Sequence, residues 1–171
     1  MIRPECAEDF DAIRALIASA FQTTGPSGRS DQVPREHGLV DALRRARALS
    51  LSLVAEDAGS IVGHIAFSPV LIDGRALGWH GLAPVAVRPD RQNAGIGGRL
   101  VREGLARLAS LRSEGCVVLG NPTYYGRFGF AARSELRLEG VPPQYFMAQS
   151  FGGVIPTGVV TYHNAFAGLS R

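Results

Sequence analysis

Residues Gln92-Asn93-Ala94-Gly95-Ile96-Gly97-Gly98 open a helical pattern that is expected to end near Gly115. Glycines at such a junction let the backbone turn tightly and approach a ligand. The unpaired N–H groups of a helix start carry partial positive charge. Together they make an anion site, and a turn offering several donors in succession suits a diphosphate. A helix that merely packs closely on a sheet would use the same glycines, so the cluster alone leaves both readings open. Two phosphate-binding designs are excluded. No Lys followed by Ser or Thr closes the turn as a nucleoside triphosphate loop requires, and the glycines follow antiparallel strands instead of opening a Rossmann unit.

The elements that must position this turn can be read from periodicity. Phe10, Ile13, Leu16, Ile17, Ala20 and Phe21 recur at helical spacing behind the early acids Glu8, Asp9 and Asp11, predicting a helix from Glu8 to Phe21. Residues 22–36 lack periodicity and read as a loop, a candidate wall for an acceptor pocket; a second helix follows to about Ala48. Leu51, Leu53 and Ala55 alternate with Ser52, Val54 and Glu56, and Asp57-Ala58-Gly59-Ser60 turns the chain into Ile61–Phe67. Asp73-Gly74 favours a type I′ turn, after which Leu77 to Val87 returns as a strand, making a three-stranded meander.

The third helix places Leu100, Val101, Leu105, Leu108 and Leu111 on one face and Arg99, Arg102, Glu103 and Arg107 on the other. Cys116–Leu119 is short and apolar, a buried strand, and strand, helix, strand in that order implies a parallel crossover. Asn121 and Pro122 read as the N-cap and first residue of a short helix ended by Gly129. Val154-Ile155 and Val159–Tyr162 are strand-like. The fold class expected is α/β (α+β): one domain over residues 1–171 with a mixed central sheet of six to seven strands flanked by helices.

Composition narrows the function classes. With 46% hydrophobic and 19% charged residues the chain suits a packed globular domain. A net charge of +3 without a basic stripe argues against nucleic acid, and Arg44-Arg45-Arg47 reads as a solvated helix face. Cys6 and Cys116 have neither disulfide nor metal-ligand spacing. No signal-peptide pattern and no apolar run of about 18 residues is seen, so a cytoplasmic protein without membrane attachment is expected.

Gln92, Gly95 and Gly97 match the Gln/Arg-x-x-Gly-x-Gly/Ala motif of the GNAT superfamily of N-acetyltransferases, which the chain resembles from Pro84 to Phe130 most strongly. Pro84-Val85-Ala86-Val87 is similar to the end of that family's fourth strand. Asn121-Pro122-Thr123-Tyr124-Tyr125-Gly126-Arg127-Phe128-Gly129-Phe130 is similar to its last motif, in wording closest to the YhbS-like branch. The resemblance implies acetyl-CoA as co-substrate, lying where the fourth and fifth strands splay. Pantetheine would meet the backbone around Val85, Ala86 and Val87, and pyrophosphate the amides from Asn93 through Ala94, Gly95, Ile96 and Gly97 to Gly98, with Asn121 and Tyr124 beside the coenzyme. Relatives often carry Gly with Lys or Arg where this chain has Asn93-Ala94, removing one cation.

By the same resemblance a backbone N–H near Val85 or Val87 stabilises the oxyanion, and Tyr125, five residues before Phe130, protonates the departing sulfur. Reference pKa values of about 10 for Tyr and 8.5 for a thiol make that transfer nearly level. The base is His80 or a water relay, with no carboxylate between Leu77 and Val87. Glu56 and Asp57 read as solvated turn residues, Cys116 as an inert buried thiol, and His64 and His163 carry no assigned role. The expected reaction moves acetyl to a primary amine, small molecule or peptide, in a ternary complex, by a monomer or homodimer without metal. A non-catalytic acyl-CoA-binding module is the alternative.

Overall fold

The computed structural model describes residues 1–22 and 36–169, so the expected acceptor-pocket loop lies outside the described residues except at its ends. β1 (Ile2–Pro4) leads through a 3-10 turn, Ala7–Asp9, into α1 (Phe10–Gln22). The helix thus begins later than its acidic residues suggested. The Asp9 carboxylate accepts the Cys6 N–H at 2.8 Å and pairs with Arg3 at 2.7 Å, which holds the first turn tight. α2 (Glu36–Arg45) ends short of Ala48, where Arg47 takes a positive φ of 53°.

β2 (Leu51–Asp57) and β3 (Ser60–Pro69) form the expected hairpin. β4 (Leu71–Ile72) closes the Asp73-Gly74 turn, whose φ values of 48° and 74° are those of type I′. β5 (Trp79–Val87) then starts later than Leu77, after Gly78. α3 (Ile96–Ser110), β6 (Gly115–Leu119) and α4 (Pro122–Tyr125) follow, then β7 (Ala131–Ala132), β8 (Leu136–Arg137), β9 (Phe146–Ser150) and β10 (Gly158–Thr161). Val154 and Ile155 lie outside these strands.

Seven strands form one mixed sheet in the order β1-β2-β3-β5-β6-β9-β7, in which β5 and β6 are parallel as the crossover required. The expected meander is β2-β3-β5, while β4, between β3 and β5 in the chain, pairs with β10 in a separate sheet, β4-β10-β8. One face of the main sheet packs on α3 through Leu100, Val101, Leu105 and Leu108 against Leu53, Ile65, Phe67 and Leu82. Gly104 permits this approach, since a Cβ there would stand 2.6 Å from the Phe67 ring. The opposite face is shared. α1 and α2 cover its first half around Ile13, Ile17, Val54 and Ala86, and the small sheet covers the second around Trp79, Val117, Phe146 and Val160.

Candidate active site

β5 stays beside β3 as far as Val87, yet pairs with β6 only at Trp79, His80 and Gly81, opposite Gly115, Cys116 and Val117. Beyond Gly81 these two strands, the fourth and fifth of the main sheet, part company. Ile65 faces Val85 while Phe67 faces Leu82, so β5 carries an extra residue at Ala83-Pro84. A bulge bends its strand, and proline has no N–H to give a neighbour. Arg88 donates to Val62 O at 2.9 Å, and antiparallel alternation therefore turns the N–H groups of Val85 and Val87 away from β3 and into the gap. Ala86 is not brought there: its side chain is buried against Ile13 and Ile17 on the α1 side, and its backbone faces β3.

At the end of β5, Pro89–Arg91 forms a 3-10 turn, followed by Asn93 at φ 63° and Gly95 at φ 78°. Asn is among the side-chain-bearing residues that accept the left-handed region, so the turn needs no glycine at this position. α3 begins with no side-chain cap and no acid in its first turn, and its first internal bond runs from Arg99 N to Gly95 O at 3.1 Å. The N–H groups of Ile96, Gly97 and Gly98 consequently have no partner within the helix. A Cβ on Gly97 would lie 3.1 Å from the Tyr124 hydroxyl and 3.5 Å from Val87, so bare backbone keeps this corner open. Gln92 braces the turn by donating to Val87 O at 3.1 Å, while Ala94 is exposed.

Across the gap, Asn121 Oδ1 accepts the Thr123 N–H at 2.9 Å, and Gly129 ends the short helical piece at φ 93°. That piece gathers Tyr124, Tyr125, Phe128 and Phe130, with Tyr125 5.0 Å from Tyr124 and 5.9 Å from Phe130 between ring centroids. The Tyr125 ring rests on Gly120, where a Cβ would come within 2.4 Å of it. Burial, helped by Tyr124 and Cys116, pushes the Tyr125 phenol up to about 12. The Tyr125 phenol is thus a weaker acid than the reference value used above.

The family model for the Acetyltransferase (GNAT) domain matches residues 1–133. The chain belongs to the GNAT acetyltransferases. It is 37% identical to the Escherichia coli K12 protein described as uncharacterized N-acetyltransferase YhbS, over 97% of this chain and 98% of that one. It is similar, at 48% identity and a TM-score of 0.83, to a GNAT family acetyltransferase from Brucella melitensis solved in complex with acetyl-CoA, over 97% of each chain. E. coli YhbS solved in complex with CoA matches with a TM-score of 0.85 at 36% identity, over 98% of this chain and 91% of that one.

In this GNAT acetyltransferase His80 sits in the paired stretch of β5, half-buried, with Nδ1 2.7 Å from Ser113 Oγ. Burial lowers its pKa, so it is neutral at neutral pH, and Nδ1 is occupied in tying β5 to the segment after α3. Cys116 is fully buried, which pushes its thiol upward and keeps it inert. Glu56 and Asp57 are not simply solvated, since Glu56 pairs with Arg3 at 2.9 Å and Asp57 with Arg91. Arg44 also leaves the solvated face expected of it: it pairs with Glu5 and Asp41 and stacks 3.6 Å over Phe10.

Sequence reading missed Arg102. Its Nη1 lies 3.3 Å from where a Gly98 Cβ would stand, its guanidinium is 5.1 Å from the Phe128 ring, and no carboxylate pairs with it among the described residues. It returns to the turn the positive charge that Asn93-Ala94 lack. The four-residue step from Gly98 along α3 was the available signal.

Proposed function

We propose that acetyl-CoA lies in the gap between β5 and β6, and that the protein moves its acetyl group to a primary amine by direct attack in a ternary complex. The observation that carries this reading is the parting of β5 from β6 after Gly81, ending over a glycine-rich helix start whose first amides are free. Pyrophosphate is bound by the amides of Ile96, Gly97 and Gly98 with Arg102 beside them, and pantetheine extends the exposed edge of β5 at Val85 and Val87. The complexes of the two solved relatives with acetyl-CoA and CoA support the choice of ligand.

In the reaction the amine lone pair attacks the thioester carbonyl carbon, a C–N bond forms, the C–S bond breaks, and the amine gives up a proton. An N–H of β5 facing the gap stabilises the oxyanion. Full transfer from a phenol near 12 to a thiolate of ordinary acidity would be uphill by about 5 kcal/mol. Tyr125 therefore donates a hydrogen bond that strengthens as charge gathers on sulfur, and solvent completes protonation. Neutral His80, through Nε2 or a water, takes the amine proton. The two free thiols, Cys6 and Cys116, suit a reducing cytoplasm.

The test is thermal unfolding with and without ligand, because a ligand specific for the folded state stabilises it by mass action. Millimolar acetyl-CoA should raise Tm by several degrees, and ATP or NAD should not. No shift with acetyl-CoA would mean that the cradle holds another ligand. Turnover of a primary amine, read as free thiol, separates an enzyme from a non-catalytic acyl-CoA-binding module.

A further inference from the structure

Tyr162 follows β10, and its ring lies against Gly81, the last residue of β5 to pair with β6; a Cβ on Gly81 would come 2.5 Å from Tyr162 Cε1. A glycine inside a strand marks a place where another group must approach closely. Phe166 holds the other side of the ring, with centroids 4.9 Å apart. Phe166 and Ala165 in turn pack on Leu39 and Leu43 of α2. The segment after β10 therefore builds a wall on the α2 side of the sheet, across from α3.

The Tyr162 ring packs with the small-sheet cluster that includes Val70 and Val117, whereas Tyr125 packs with the α3 cluster that includes Cys116. Burial holds the Tyr162 phenol above the usual range, so it is neutral. The ring atom nearest a Gly81 Cβ is Cε1, next to the hydroxyl-bearing carbon, with Cδ1 farther off at 3.1 Å, so the hydroxyl end of Tyr162 lies where β5 begins to part from β6. The residue as a whole is part-exposed, and its hydroxyl has no hydrogen-bond partner among the described residues. Two neutral phenols thus address the gap from opposite faces.

The geometry points to Tyr162 as an acceptor-side catalytic residue, whose oxygen accepts a hydrogen bond from the incoming amine while Tyr125 faces the coenzyme sulfur; this rests on acetyl-CoA occupying the gap. Accepting one N–H aims the nitrogen lone pair at the carbonyl carbon. As the C–N bond forms, positive charge gathers on nitrogen and the hydrogen bond strengthens, so the contact favours the transition state over the bound amine. Tyr162 takes no proton; the nitrogen's extra proton leaves to the base, and the electrons of the C–S bond leave with sulfur.

Tyr162→Phe keeps the ring on Gly81 and Phe166 and removes only the hydroxyl. Thiol release would be followed with acetyl-CoA and hydroxylamine, benzylamine or spermidine as the nucleophile, alongside the acetyl-CoA Kd. The inference expects kcat/KM for each amine that wild type accepts to fall on the order of 10- to 100-fold, as for a lost hydrogen bond to a charged group, with the acetyl-CoA Kd within about twofold. Unchanged kcat/KM would overturn it, and so would a loss confined to acetyl-CoA binding. A wild-type protein that binds no acetyl-CoA contradicts the proposed function itself. Binding without turnover of any of these amines contradicts the amine acceptor, and Tyr162's role with it.

Discussion

The proposed coenzyme half and the proposed acceptor half of the gap are built differently. The first comes from a nearly continuous stretch, β5 through the piece ending at Phe130, and each part has a local cause: a bulge at Ala83-Pro84, left-handed turns at Asn93 and Gly95, a cap at Asn121. The second is assembled from α2, Gly81 and the Tyr162–Phe166 segment, which meet only in the folded chain. A backbone cradle for a constant ligand can be written locally. A wall for a specific acceptor is made from side chains brought together by the whole fold.

The largest expected effect lies in the coenzyme half. Gly97→Val places a branched side chain against Tyr124 and Val87 where phosphate must reach the amides. Acetyl-CoA affinity should fall on the order of 10³-fold, the loss of two or so charge-assisted hydrogen bonds, while Tm without ligand changes little. Calorimetric titration checks this, and normal affinity would make the turn a packing device. Next comes Tyr125→Phe, which should lower kcat on the order of 10²-fold at constant acetyl-CoA Kd, with a much smaller effect for Tyr124→Phe. Equal turnover in Tyr125→Phe and wild type would show that sulfur departs unassisted.

The acceptor half predicts a smaller, coupled effect. Gly81→Ala displaces the Tyr162 ring and should lower kcat/KM for an accepted amine by about tenfold, but add nothing once Tyr162 is Phe. Additive losses in that double-mutant cycle would separate Gly81 from Tyr162 and weaken the contrast between the halves.

Away from both halves, Glu5 supplies a control for stability alone. Burial would raise its pKa, but His64 at 3.8 Å and hydrogen bonds from Arg44 and Ser52 outweigh this and bring it down to about 2. A depressed carboxylate stabilises the fold fully above its unfolded value near 4.5 and loses that contribution as pH falls toward 2. The contribution is on the order of 2 kcal/mol after allowance for solvent screening. Stability of wild type should fall across that window, measured by denaturant unfolding. Glu5→Gln should flatten the slope and leave the acetyl-CoA Kd unchanged.

Much of the coenzyme half was legible in the sequence because glycine, proline and asparagine state backbone geometry directly. Gly95, the Asn121 cap, Gly129 and the parallel β5–β6 crossover lie where the residues placed them. The small sheet was not legible, since β4 and β8 have two residues each and show no period. β9 was missed as a main-sheet strand although its Phe146, Met147 and Ala148 are buried; both faces are covered, so no alternation marks it. Tyr162 escaped because its meaning depends on Gly81, a contact no local pattern contains. The acidity of Tyr125 was misjudged because burial acts through the folded environment.

The most direct test of the account follows the backbone amides themselves. In a ¹⁵N-labelled protein, saturating acetyl-CoA should shift and protect the amides of Val85, Val87, Ile96, Gly97 and Gly98, leaving Ala86, whose N–H faces β3, far less affected. Binding that leaves the Ile96–Gly98 amides unshifted and exchanging as before would contradict the placement of acetyl-CoA between β5 and β6.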